Sequence, residues 1–232
     1  PVPPYPVVND SAGLRAAQAE LSGLATAVCM KPITGTAGAG YRVLTDCPPR
    51  LSDFAGRARA RADLNAVCVA LDSARAAGEP RPELLVTVYL EGPELSMDVL
   101  ADADGRTRAV IGRNHAARRR LLVDDPAARA VAETLTAAYR IGYLSNTQIR
   151  YWQAPGESAP RPYLLEVNTR ISGGLFQTAL AGVNLPWAAL QLVLGEEPGP
   201  IAPRYGAAFT TMSALVPLAG PGGTARGTRP LD

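Results

Sequence analysis

The chain has 232 residues, 47% of them apolar and 19% charged, with a formal net charge of +2. That is core enough for one large domain or two small ones, and it excludes a highly charged disordered chain. It also excludes a basic stripe for nucleic acid, a transmembrane run of roughly 20 apolar residues, and a disulfide framework or zinc knuckle from three scattered cysteines.

The opening PVPPYPVV lacks the basic flank and apolar run of a secretory signal, so a cytoplasmic protein is expected. Asn9, Asp10 and Ser11 offer N-cap side chains to a helix carried by Leu14, Ala17 and Leu21 and stopped by Gly23. The apolar run ATAVCM then predicts a strand ending at Lys31 and Pro32, followed by the Gly-rich ITGTAGAG and a second strand-like run, YRVL. Residues 51–77 carry a helical pattern, read as one or two helices and closed by Gly78 and Pro80.

The β-branched run from Leu84 to Leu90 predicts a strand. After a Gly-Pro turn, LSMDVLAD alternates as another, and Asp104-Gly105 signals a hairpin whose partner is Arg106 to Ile111. Asp124 and Asp125 cap a helix with Pro126 in its first turn, running to about Arg140 and closing at Gly142. SNTQIRYW and YLLEVNTR are strands joined by the polar loop APGESAPRP, and Leu185 to Leu194 is a last helix ended by Gly195. Hairpins mixed with helices predict an α+β fold, and the Gly-, Pro- and Arg-rich tail reads as a linker or fragment edge.

Of the 23 basic residues only Lys31 is Lys, which suggests a position that needs a compact ammonium rather than a planar fork. Directly after it, Gly35, Gly38 and Gly40 let backbone N–H groups turn toward an anion. On YLLEVNTR, Glu166 and Asn168 share a face, about two rises of 3.3 Å apart. Gln148 on the preceding strand can point into the same space, and such an oxygen set suits Mg²⁺. Arg170 follows, placed to fork onto a phosphate or carboxylate.

In this order and spacing, Lys31-Pro32, the Gly loop, YLEGPELSMDVL, NTQIR and LLEVNTRISGG resemble the ATP-grasp ligases, from about Val7 to Glu197. The resemblance implies two α+β lobes holding ATP between antiparallel sheets. It implies transfer of the γ-phosphoryl group to a carboxylate and attack of an amine or similar nucleophile on the acylphosphate, an ADP-forming carbon–nitrogen ligation. It divides the chain into an opening strand and helix (1–22), a small lobe with the lid loop (23–91), a large lobe with the metal site (92–215) and a linker (216–232).

Carried over by residue, the resemblance makes Lys31 the phosphate-binding lysine and Gly35, Thr36, Gly38 and Gly40 the lid. Val88, Tyr89 and Leu90 become the hinge, whose backbone at Val88 and Leu90 would read the adenine edge. Glu94 would take ribose hydroxyls, and Leu165 would pack under the base. Gln148, Glu166 and Asn168 would bind Mg²⁺ or Mn²⁺, with Gln148 pointing to the carbamoyl-phosphate-synthetase-like branch, and Arg170 with Lys31 would be catalytic. The partners implied are a small-molecule carboxylate and amine and an N-terminal lobe ahead of Pro1, with no nucleic acid or membrane and a homodimer left open.

Two departures are visible. Thr87 stands where the family often has a hinge Glu, and Gly174-Leu175 where the biotin-carboxylase branch has Glu-His. The first, together with the family's N-terminal lobe not being part of this sequence, motivates an alternative, a catalytically inactive nucleotide-binding regulatory module. His115, the single His, has no required part in acylphosphate chemistry. Arg118 to Arg120 read as a solvated face, Trp152 and Trp187 as packing residues, and Cys29 as an inert core residue.

Overall fold

The structure is a computed structural model that describes residues 1–35, 38–47, 61–114 and 120–210. The predicted helix over 51–60, His115, Arg118, Arg119, Thr36 and the tail linker lie outside those residues.

The first sheet has the order β1-β5-β2-β3-β4, formed by β1 (Val7–Val8), β2 (Val28–Pro32), β3 (Arg42–Thr45), β4 (Arg61–Asp63) and β5 (Leu84–Val88). Two helices cover one face, α1 (Ser11–Ser22) and α2 (Leu64–Ala76). The Asp10 carboxylate accepts the Gly13 N–H at 2.7 Å and so caps α1, whose Leu14, Ala17 and Leu21 are buried as the spacing requires. Asp63 caps α2 through the Ala66 N–H. Among the described residues the helical pattern expected over 51–77 is met from Leu64 to Ala76, and Arg61–Asp63 before it is a strand parallel to β3. Three residues are too few to display the alternation that identifies a strand.

The second sheet has the order β10-β9-β6-β7-β8-β11 and is antiparallel throughout. Its strands are β6 (Glu94–Ala101), β7 (Thr107–Asn114), β8 (Arg120–Val123), β9 (Tyr143–Trp152), β10 (Arg161–Asn168) and β11 (Ala208–Phe209). Its helices are α3 (Pro126–Ala138), α4 (Phe176–Leu180) and α5 (Leu185–Val193). The sequence reading had no β8, β11 or α4, each five residues or fewer.

Alternation along β6 divides this sheet into two unlike faces. Leu95, Met97 and Val99 pack with Ile149 against Ala128 and Ala132 of α3. The other face is apolar at one end, where Leu100, Ile111 and Leu122 lie under Leu175, Leu185 and Ala188. At its other end it carries Glu94, Ser96, Asp98, Asn146 and Gln148. This polar half faces the cleft between the sheets.

Pairing of β9 with β10 is regular as far as Leu164, opposite Ile149, and then slips, so that Glu166 stands opposite Gln148 and Asn168 opposite Asn146. Leu165 is the extra residue, a β-bulge. Without it, Glu166 would fall opposite Thr147 and point with Ile149 toward α3, because a one-residue slip exchanges the faces.

Trp152 packs edge-on against Tyr163 at 5.2 Å between ring centres, as expected of a core residue. Trp187 does not follow the expectation. It is 54% exposed on the outer side of α5, which turns Ala188 and Ala189 inward instead.

Candidate functional site

Two cavities open between the sheets. One, of about 440 Å³, is walled by Cys29, Lys31, Leu85, Thr87 and the hinge Val88-Tyr89-Leu90 on one side, and by Glu94, Gln148, Arg150, Leu165 and Glu166 on the other. The second, of about 380 Å³, is lined by Lys31, Gly35, Gly38, Glu166, Asn168 and Arg170 among others. Lys31, Gly38 and Glu166 line both, so the two form one cleft with an apolar end and a charged end.

Strand alternation explains the first wall. Cys29 and Lys31 pair with Thr87 and Leu85 and look into the cleft, while Val28, Met30, Val86 and Val88 look into the helix-packed core. Cys29 is therefore not the plain core residue expected, although it is only 5% exposed. Its Sγ lies 3.7 Å from the Val88 carbonyl oxygen, to which the thiol donates. Burial pushes its pKa up, against the opposite pull of the Tyr41 hydroxyl and of the Lys31 and Arg150 charges. Burial, with Cys29 alongside, also raises the Tyr41 phenol well above its ordinary value.

Two of the glycines expected to form a lid are needed where they stand. Gly38 and Gly40 have φ of 71° and 76°, and a Cβ at Gly40 would lie 2.7 Å from the Pro32 ring. Gly40 itself lines neither cavity and acts on the turn.

At the hinge, the Tyr89 N–H donates to the Ala27 carbonyl at 2.8 Å, so Tyr89 offers the cleft its ring rather than its amide. The Arg150 guanidinium sits 5.2 Å from the centre of that ring, and its Nε donates to the Gly92 carbonyl. Thr87 does not replace the expected hinge Glu with a free group, because its hydroxyl donates to the Pro4 carbonyl at 2.8 Å. The N-terminal segment thereby joins the cavity wall through Val2, Pro3 and Tyr5. The sequence reading missed Arg150, Tyr41 and this segment. The signal open to it was alternation, which sets Arg150 two residues from Gln148 on the same face.

On the opposite wall, Gln148 and Glu166 are cross-strand partners, and Asn168 donates through Nδ2 to Glu166 Oε1 at 2.5 Å. One carboxylate and two amide side chains make an open oxygen set, and the Asn168 contact leaves its amide oxygen free. Such a set fits an ion like Mg²⁺, which keeps waters and shares its shell with phosphates, and does not form a closed protein cage. No cluster of three or more His, Cys, Asp or Glu occurs among the described residues. Arg170 is exposed at the charged end, its Nη1 donating to the Ile171 carbonyl.

No helix among the described residues is long and apolar enough to cross a membrane. A family model described as "ATP-grasp in the biosynthetic pathway with Ter operon" matches residues 80–214. No curated protein matches the chain. Among solved structures, an N5-carboxyaminoimidazole ribonucleotide synthetase in complex with ADP superposes with a TM-score of 0.59 at 16% identity, over 88% of this chain and 50% of that one. The ATP-grasp ligase PsnB, with a minimal precursor, Mg and ADP, gives 0.53 at 16%, over 84% and 53%. An L-amino acid ligase from Bacillus licheniformis gives 0.51 at 15%, over 88% and 47%. The chain spans about half the length of these structures, and at such identities the likeness is one of fold.

Proposed function

The chain belongs to the ATP-grasp family, and from that premise we propose that it is the nucleotide-binding part of a ligase joining a carboxylate to an amine or similar nucleophile at the expense of ATP. The observation that carries the reading is the single cleft in which Lys31 and Gly38 on one sheet and Glu166 on the other line both the apolar and the charged cavity. A base and its ribose fit the apolar end, which Glu94 also lines, and a triphosphate fits the charged end.

In this reading Lys31 and the Gly35–Gly40 loop hold the phosphates, while Val88 and Leu90 present the backbone edge for the base and Leu165 packs beneath it. Gln148, Glu166 and Asn168 hold Mg²⁺ or Mn²⁺, which neutralises phosphate charge when bound. Arg170 forks onto the transferred phosphoryl group and the incoming carboxylate.

The need for these cations follows from electrostatics. Two unit anions 4 Å apart repel by about 1 kcal/mol in water and roughly 4 kcal/mol at an effective dielectric of 20. Lys31 and Arg170 offset that repulsion and the charge spread over the phosphoryl group in transfer. The carboxylate then gains phosphate, ADP leaves, and attack of the nucleophile on the acylphosphate expels phosphate.

The test is release of ADP and phosphate by the full-length protein over a panel of carboxylates paired with amines. Turnover on one pair, dependent on Lys31 and Arg170, supports the reading. A second reading, nucleotide binding without turnover, is favoured by the hinge, where Thr87 is spent on the Pro4 carbonyl. It is supported by Mg²⁺-dependent ATP binding with no ADP formed on any pair.

A further inference from the structure

Beneath the charged end of the cleft lies a network that none of the site roles uses. Arg113 on β7 is 1% exposed and Asp98 on β6 is fully buried. The guanidinium donates to the Asp98 carboxylate from Nε at 2.5 Å and from Nη2 at 3.2 Å. The same Nη2 donates to Ser172 Oγ at 2.6 Å, and the Ser172 hydroxyl donates to Asp98 Oδ1 at 2.9 Å. Asn146 donates to Asp98 Oδ1 at 2.8 Å and stands directly opposite Asn168.

This network grips the chain on both sides of Arg170, through Asn146 opposite Asn168 and through Ser172. Past Ser172 it continues by contact, since a Cβ on Gly174 would lie 2.1 Å from Arg113 Nη1. Only a residue without a side chain lets the loop backbone lie on the guanidinium.

A buried ion pair is weak evidence for stability, because well-packed apolar residues in its place are often neutral or better. The apolar half of the same sheet face, with Leu100, Ile111 and Leu122, demonstrates that alternative in this protein. Polarity is concentrated where a loop carrying a charged side chain has to be held at a fixed height over the sheet.

We propose that Arg113 is a positioning residue whose paired guanidinium clamps the Ser172–Gly174 loop and thereby sets Arg170 against the terminal phosphate. The inference rests on the nucleotide reading given above. It requires that loss of the clamp be felt at the γ-phosphate and not at the base.

The experiment compares affinities for AMP, ADP and the triphosphate analogue AMPPNP, each with Mg²⁺, in the wild type, Arg113→Lys, Arg170→Ala and the double variant. Lys keeps the charge and loses the fork. The expected result is that Arg113→Lys binds AMP and ADP within about twofold of wild type, while its AMPPNP-to-ADP affinity ratio falls about tenfold. Arg170→Ala should lower the ratio similarly and the double variant no further, since residues acting through one group are non-additive. An unchanged ratio, an equal loss for all three nucleotides, or full additivity would overturn the positioning role. A wild type that binds none of the three removes the nucleotide reading and the clamp with it. Should Arg113→Lys fail to fold, Ser172→Ala, which leaves the ion pair intact, is expected to lower the same ratio.

Discussion

Gln148 and Glu166 face one another across β9 and β10 because Leu165 is an extra residue in β10. The bulge turns the Glu166 and Asn168 side chains away from the α3 core and into the cleft, and it leaves Leu165 lining the apolar cavity a residue away. One irregularity thus positions two of the proposed ion ligands and the proposed floor of the base site.

Glu166 is exposed, so its replacement should cost the fold little, within about 0.5 kcal/mol. Glu166→Gln is expected to raise the Mg²⁺ concentration needed for ADP binding by at least roughly tenfold, the loss typical of even an outer-shell partner. AMP binding should be unaffected. Calorimetric titration at several Mg²⁺ concentrations checks both.

Lys31 is the only lysine of the chain and lines both cavities. Lys31→Met should weaken ADP binding by about 10- to 100-fold, the equivalent of one charge-assisted hydrogen bond. Lys31→Arg should restore little of it, because a planar guanidinium fits poorly between phosphate oxygens. Titration with ADP, against AMP as control, is the measurement.

Much of this was legible in the sequence and some was not, for physical reasons. Lys31 stood out against a background of Arg, and period-two alternation placed Glu166 and Asn168 on a common face. Which face that was depended on a bulge at Leu165, which no local pattern encodes. Arg113 looked like any of 22 arginines. It is singled out only by pairing across the sheet, which sets it opposite Ser96 and beside Asp98. Thr87 read as a missing hinge carboxylate, and its actual partner, the Pro4 carbonyl, is 83 positions away along the chain.

The buried pair makes a stability prediction separate from its positioning role. Asp98→Ala strands the Arg113 charge and should cost about 3–5 kcal/mol in denaturant unfolding. Asp98→Leu combined with Arg113→Met, which removes both charges, should recover most of that loss while leaving the Ser172 loop unclamped.

The cysteines give a pH-dependent readout of the cleft. Cys47 is exposed, whereas Cys29 is buried with its pKa raised above the ordinary value of 9.0. A raised pKa keeps Cys29 protonated through that value, so alkylation by iodoacetamide at pH 8 should take Cys47 first. Cys29 should react only as the pH climbs beyond 9, and AMP should protect it while leaving Cys47 unprotected. Peptide mass mapping after timed labelling checks the order.

The most direct measurement of the central claim is a crystal structure with AMPPNP and Mn²⁺, read by the anomalous signal of the metal. The expected result is a base between the Tyr89–Leu90 hinge and Leu165, with a Mn²⁺ peak in contact with Glu166 and Asn168 and phosphate oxygens against Lys31. Nucleotide bound elsewhere, or a metal peak away from Glu166, would contradict it.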